Sequence, residues 1–360
     1  MARAKICYLH IGAEKTGSTS IQAFLRANRH RLTGHGYLFP RTPGEDNQPA
    51  LAAYAMKDSS RRNLMAQVGV RSDAALGRFQ KEFSADLLAE VAKTAPERIV
   101  LTNEHCHSRI ETVEELERLA TLLHSVADEV RVIFYIRRQD KAATSLYSTA
   151  LKVGQWRKKP NLAIKGELPI SFDYWRTCEL YASVFGMQAM RVRLFDRDQL
   201  VGGDLIADFC DALEMPAGQD WIVPDSKNQS LGRLGQRFLA AFNQKRQDRF
   251  GEQSEHYRMA LVRMLDKHFS GKGIKPSQAA AKAFLSHFKA GNEKVRATYF
   301  PDMPFPLFGD DFSMYPEKDD TWMPGVFMAF DAGARLFVEQ QKEIDRLKAE
   351  VAALKADDES

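Results

Sequence analysis

The sequence predicts an α/β fold, a parallel sheet flanked by helices, with a mostly helical C-terminal part. Three observations predict it. Short apolar runs alternate with amphipathic helical stretches from residue 6 to residue 151, the pattern of a parallel sheet with helices on its faces. The first run passes through a loop bearing Gly12 and Gly17 directly into a helix. Residues 231–300 carry mainly helical spacing.

The elements follow in order. Ile6 to Ile11 is a strand, and Ile21, Phe24 and Leu25 give the next segment one apolar helical face. Residues 33–75 hold Gly34, Gly36, Pro40, Pro43, Gly44, Asp46, Asn47 and Pro49, so part of this stretch reads as an irregular surface excursion. Residues 76–95 read as a helix, Arg98 to Thr102 as a strand, and 112–127 as a helix rich in Glu and Leu. Val132 to Ile136 is an apolar run bounded by charge, hence a buried strand. The helix over Ala142–Leu151 has Ala143, Leu146, Tyr147 and Ala150 on its apolar face. Residues 152–169 hold Lys152, Trp156, Arg157, Lys158, Lys159 and Lys165, either a mobile basic loop near an anion or a solvated loop. Residues 172–186 are helical. Residues 301–328 are rich in Pro, Phe, Met and Trp and wrap over the core.

The loop of Lys15, Thr16, Gly17, Ser18 and Thr19 carries the chemistry. A strand, a Gly-bearing loop and a helix start present backbone N–H groups and a helix dipole to an anion, a P-loop-like architecture. The ATP-binding version needs Gly-x-x-x-x-Gly-Lys-Ser/Thr. Gly12 and Gly17 have that spacing, but Ser18 stands where the lysine belongs, and the lysine has moved into the loop as Lys15. A turn with a helix cap is the plainer alternative. A second motif follows the strand at Val132–Ile136. Arg137 at the strand end supplies a planar fork of donors, and Ser145, in the helix that follows, supplies a hydroxyl; the two can converge on one phosphate. Arg138 is the alternative, one residue out of register. Two arginines at a helix N-terminus are unfavourable beside the dipole and ask for an anion or an acid nearby.

Lys15-Thr16-Gly17-Ser18-Thr19 resembles the 5′-phosphosulfate loop of sulfotransferases, and Arg137 with Ser145 eight positions later resembles their 3′-phosphate pair. Both occur in the family's order. The chain is therefore similar to the bacterial, carbohydrate-sulfotransferase-like enzymes that use 3′-phosphoadenosine-5′-phosphosulfate. Val192-Arg193-Leu194-Phe195, Leu200 to Asp204, and Ile206, Phe209 and Leu213 resemble a late strand, turn and helix of that family, and Asn228 with Ser230 resembles its Asn-x-Ser. The resemblance covers about residues 5–245. It implies sulfuryl transfer to an acceptor hydroxyl of a carbohydrate or glycoconjugate. Lys15 would stabilise the leaving phosphate. Lys15, Thr16, Gly17, Ser18, Thr19, Arg137 and Ser145 would hold the donor, a small-molecule co-substrate, and no metal is required. The acceptor proton needs a base near the C-terminal edge of the sheet. Leu101-Thr102-Asn103-Glu104-His105-Cys106-His107 lies there. Glu104 is the first choice, with His105 or His107 as alternatives and a second role for Glu104 as a partner of Lys15 or a loop cap. His10 reads as packed at its strand end, and Glu14 as tuning Lys15.

Composition bounds the alternatives. The 360 residues carry 44% hydrophobic and 27% charged side chains, ordinary for a globular protein with one large core. No run approaches a membrane span, and the first residues enter a core strand rather than a signal peptide. Cys7, Cys106, Cys178 and Cys210 are widely separated, with no zinc spacing, which fits a cytoplasmic protein, and Cys7 and Cys210 sit in apolar contexts. Net charge of +4 is mild, and no aromatic and basic interleaving argues for nucleic acid.

The expected organisation is one domain over 1–330, with its donor-binding core in about 1–245, followed by a C-terminal helix over 331–360. Ile344, Leu347, Val351 and Leu354, extended by Phe337, follow a heptad spacing with charges between. A short coiled coil joining copies of the chain, a lone surface helix, or a frayed tail all fit. Two other readings of the whole chain compete: a P-loop nucleotide kinase, which would want lysine at position 18, and a non-catalytic donor-binding scaffold working through the coiled coil.

Overall fold

The computed structural model describes residues 3–164, 166–215, 221–224 and 230–358, with the backbone alone at 246, 247, 249 and 352–358. Asn228, Lys165 and the side chain of Leu354 lie outside the described residues. The chain divides into two compact units. Unit 1 comprises Met1–Ala142, Ala163–Asn228 and Ala281–Phe312; unit 2 comprises Ala143–Leu162, Gln229–Ala280 and Ser313–Ser360.

Unit 1 is built on five parallel strands in the order β2-β3-β1-β4-β5. They are β1 (Ala4–His10), β2 (Tyr37–Leu38), β3 (Arg98–Thr102), β4 (Ala127–Ile136) and β5 (Met190–Leu194). Between them run α1 (Ser18–Ala27), α2 (Arg29–Gly34), α3 (Pro49–Ala55), α4 (Arg62–Gln67), α5 (Asp73–Thr94), α6 (His105–Arg109), α7 (Val113–Val126), α8 (Gln139–Lys152) and α9 (Tyr174–Phe185), with α10 (Leu205–Ala212) after β5. The α/β parallel sheet read from the alternation of strands and helices is what the chain forms.

Side-chain alternation on each strand sorts the core into two faces. Cys7 and Leu9 of β1, Ile99 and Leu101 of β3, and Val132 and Phe134 of β4 pack with α3, α5, α7 and α9. Tyr8, Val100, Ile133 and Tyr135 point the other way, against Ile21, Phe24 and Leu25 of α1 and Phe209 of α10. Being buried on both faces is why these strands read as continuous apolar runs.

Part of 33–75 is the expected surface excursion: residues 33–35, 62, 63 and 71–74 are exposed, whereas 37–40 and most of 48–56 are buried. The stretch contains the edge strand β2 and helices α3 and α4, and Leu51, Ala52, Ala53 and Ala55 are buried in the core. Pro49 occupies the first turn of α3, where its missing N–H costs nothing, and the small alanines let α3 lie close to its neighbours. The Gly and Pro residues mark the turns, and the alanine run between them carries the packing. The apolar face expected on α8 is displaced too. Ala143, Tyr147 and Leu151 are buried, whereas Leu146 and Ala150 are half-buried.

Burial pushes the thiols of Cys7 and Cys106 well up, Cys178 to about 12 and Cys210, which is only half-buried, to about 11. Unit 2 holds α8 from Ala143 onward, α11 (Arg233–Phe250), α12 (Ser254–His268) and α15 (Val326–Asp358); α13 (Gln278–Ser286) starts in it, and α14 (Lys289–Tyr299) belongs to unit 1. Its core gathers Tyr147, Leu151, Leu231, Leu239, Leu265, Ile274 and Leu336. The C-terminal part is thus helical. Among the described residues, no helix is long and apolar enough to cross a membrane.

Candidate active site

The loop between β1 and α1 is shaped by three residues with left-handed backbone: Gly12 (φ 39°), Lys15 (φ 71°) and Gly17 (φ 84°). Lysine pays a steric cost there that glycine does not, so the surrounding contacts must hold the turn. They are visible. Ile11 and Ala13 donate their N–H groups to the carbonyls of Ile133 and Tyr135 on β4, at 3.0 and 3.2 Å. Thr16 Oγ1 donates to the Ala13 carbonyl at 2.6 Å and is fully buried. Gly17 caps α1, and a Cβ there would run into Leu205 Cδ2 of α10 and the Phe195 ring. The first turn of α1 has no acidic residue, and no side chain caps its N-terminus. The positive end of the helix dipole is therefore left to an anion.

Arg137 joins this loop. Its Nη1 donates to the Lys15 carbonyl at 3.0 Å, and its guanidinium lies 5.5 Å over the Phe195 ring. Tyr174 Oη donates to the Arg137 carbonyl at 2.6 Å, which fixes the backbone where β4 ends. The neighbouring Arg138 points elsewhere. It forms a buried bidentate pair with Asp140 at 2.8 and 2.9 Å and donates to the carbonyls of Gly309 and Asp311 at 2.8 and 2.7 Å. Consecutive arginines thus have different partners, and the acid asked for by two arginines at a helix start is Asp140. Ser145 lies within α8, on the unit 2 side of the division, and is half-buried.

Glu104 immediately precedes the short α6, beyond the end of β3, rather than lying in an open loop. Gln22 Nε2 of α1 donates to its Oε2 at 2.8 Å, and Asn47 Nδ2 donates to its Oε1 at 3.3 Å. Asn103 Nδ2 donates to Asn47 Oδ1 at 2.5 Å, and Asn103 N–H donates to the His10 carbonyl at 3.1 Å. An amide network therefore ties Glu104 to the helix that starts at the loop. Gln22 was readable as a polar residue on an otherwise apolar helical face. Asn47 was not, because it lies half-buried in an irregular Gly- and Pro-bearing stretch with no periodicity to mark it.

The histidines divide by burial. His105 is half-buried; burial lowers its pKa against the pull of the Glu104 carboxylate. His107 is buried against Phe134 and Tyr174, with ring centroids 5.0 and 6.4 Å away, and burial pushes it down to about 4. His10 is buried at its strand end. Its Nδ1 lies 2.8 Å from Thr102 Oγ1, its ring meets Tyr135 and Phe209 edge-on, and burial pushes it down to about 3. Among the described residues, His, Cys, Asp and Glu side chains form no group of three or more able to hold a metal ion.

No family model matches the chain. An uncharacterized protein of Archaeoglobus fulgidus is 27% identical over 198 residues, 52% of this chain and 51% of that protein. The chain thus spans about half the length of the curated relative it matches. Among solved structures, a sulfotransferase from Alicyclobacillus acidocaldarius superposes with a TM-score of 0.36 at 13% identity, over 73% of this chain and 96% of that one. A sulfotransferase domain from the curacin biosynthetic pathway gives 0.33 at 12% identity, over 62% and 78%. Both likenesses are weak, and neither assigns this chain a reaction.

Proposed function

We propose that the chain is a sulfotransferase that moves a sulfuryl group from 3′-phosphoadenosine-5′-phosphosulfate to an acceptor hydroxyl. One observation supports the reading: the Arg137 guanidinium donates to the Lys15 carbonyl, so an arginine far along the sequence meets the loop that leads into a helix start without a side-chain cap. That juncture fits an anion with several charges. The loop Lys15, Thr16, Gly17, Ser18 and Thr19 would take the phosphosulfate end, and Arg137 and Ser145 the 3′-phosphate.

Sulfuryl transfer is in-line. The bond from sulfur to the acceptor oxygen forms while the bond from sulfur to the bridging phosphate oxygen breaks, and adenosine 3′,5′-bisphosphate leaves. Lys15 is the compact cation that offsets the charge appearing on that oxygen. Glu104 accepts the hydroxyl proton, and the amides of Gln22 and Asn47 hold its carboxylate in place. We assign a sugar hydroxyl as acceptor because Glu104 resembles the carboxylate base of carbohydrate sulfotransferases. His105 is the second choice of base, and the first turn of α6 brings it beside Glu104.

Transfer of labelled sulfate from the donor to a panel of saccharides and phenols, in EDTA, tests the reaction. Label on a saccharide supports it, and no transfer to any acceptor removes it. Lys15→Ala should lose most turnover. Glu104→Gln should keep donor binding and lose turnover by about 10²–10⁴-fold. A dead His105→Ala beside an active Glu104→Gln would move the base to His105. Calorimetry supplies an independent check. Adenosine 3′,5′-bisphosphate should bind roughly 1.5–3 kcal/mol more tightly than adenosine 5′-phosphate, the scale of a charge-assisted contact, and equal affinities would reject the role of Arg137.

A further inference from the structure

Unit 1 contains a cavity of about 420 Å³ lined by none of the residues assigned to the proposed reaction. Its walls come from α13, α14 and the segment 305–312. The volume falls in the range of small-molecule sites, about 300–1,000 Å³. Leu307, Phe308 and Phe312 are buried beneath it, and Phe305, 58% exposed, forms a lip.

The walls are held in place. Arg138 donates to the carbonyls of Gly309 and Asp311 and lies 4.5 Å over the Phe312 ring. Asn292 of α14 exchanges two hydrogen bonds with Gln139, at 2.6 and 3.1 Å. Walls fixed this way reduce the ordering cost of binding a ligand.

Its polar groups are largely committed. Asn292 is engaged with Gln139, Ser286 donates to the Ala283 carbonyl, and Glu293 is held by Arg296. Lys282 and Lys289 remain at the mouth. Their ammonium groups lie 5.5 Å over Phe312 and 5.4 Å over Phe305, and Asp310 is one further carboxylate in the lining. Apolar walls with two cations at the rim suit a flat or short-chain apolar body that ends in a single negative charge.

We propose that this cavity is a binding site for a small amphipathic anion, an aromatic or aliphatic body with one carboxylate, sulfate or sulfonate head near Lys282 and Lys289. The site stands on unit 1 alone and does not depend on the transfer reaction. Naphthalene-2-sulfonate, with the uncharged naphthalene-2-sulfonamide as control, tests it by calorimetry on the full chain without donor. The sulfonate should bind roughly tenfold more tightly, the scale of two exposed charge contacts. Lys282→Glu with Lys289→Glu, both exposed and outside the core, should erase that difference. Leu285→Trp, which fills the cavity, should abolish binding of both probes. Equal affinities in the parent chain, or a preference that survives the double lysine change, would overturn the proposal. If Leu285→Trp does not fold, the lysine pair decides.

Discussion

Helices α1 and α15 both carry an apolar stripe in sequence, and the structure treats them in opposite ways. In α1 the residues Ile21, Phe24 and Leu25 are completely buried. In α15, a 33-residue helix, Ala332 is buried and Leu336 packs into the unit 2 core, yet Phe327, Phe330 and Phe337 are 92%, 72% and 69% exposed. Ile344, Leu347 and Val351 are exposed as well. Periodicity identifies a stripe, and only tertiary contact decides whether anything covers it.

The sharpest way to break this comparison is to make one substitution in both helices. Phe24→Ala should cost about 3–5 kcal/mol of stability, the range for a buried Phe. Phe327→Ala in the full chain should stay within roughly 0.5 kcal/mol. Urea unfolding checks both, and equal losses would mean that Phe327 is covered. A smaller effect separates the regions by pH. His10 and His107 are neutral in the fold, at about 3 and about 4 against an ordinary 6.5. The unfolded chain therefore gains protons first, and stability falls as pH drops from 6.5 toward those values. Each ring should contribute a loss of about 2 kcal/mol at pH 5. In α15, Glu339 is held down to about 2 by Lys342 and Lys267, so its ion pairs should outlast that window. Unfolding curves that coincide at pH 7 and pH 5 would show that the rings are charged in the fold.

The mildest test concerns self-association. We propose that α15 pairs with a second copy through Phe337, Ile344, Leu347 and Val351, which would bury the stripe. Removing the residues after 336 should lower the mass seen by light scattering and leave transfer per chain intact. An unchanged mass would reject the pairing, and loss of folding would mean that the helix serves its own unit.

Much of unit 1 was legible in sequence because its strands are short, apolar and bounded by charge. Arg98–Thr102 has the strand limits the sequence predicts, and Thr112 caps α7 where the Glu-rich helix was expected to begin. The loop from Gly12 to Thr19 was legible as a Gly-bearing turn between a strand and a helix start, because that signal is local. What stayed hidden was non-local. The alanines of α3 carry too little hydrophobic contrast to reveal a buried helix. The partners of Arg138 are Asp140 and the carbonyls of 309 and 311, and the latter lie in a distant stretch of chain. The network of Glu104 draws on Gln22 and Asn47, which no spacing rule connects.

The central place of β1 has a consequence for biosynthesis. Ile6 pairs with Arg98 on one side and Glu129 on the other. A ribosome adding about 5–20 residues per second needs on the order of 5–20 s to deliver the first of these partners after β1 is made. For that interval the apolar strand that ends in the candidate active site has no sheet to join. Its pairing is complete only once β4 emerges, so the sheet closes around its centre only after both flanking strands have been made.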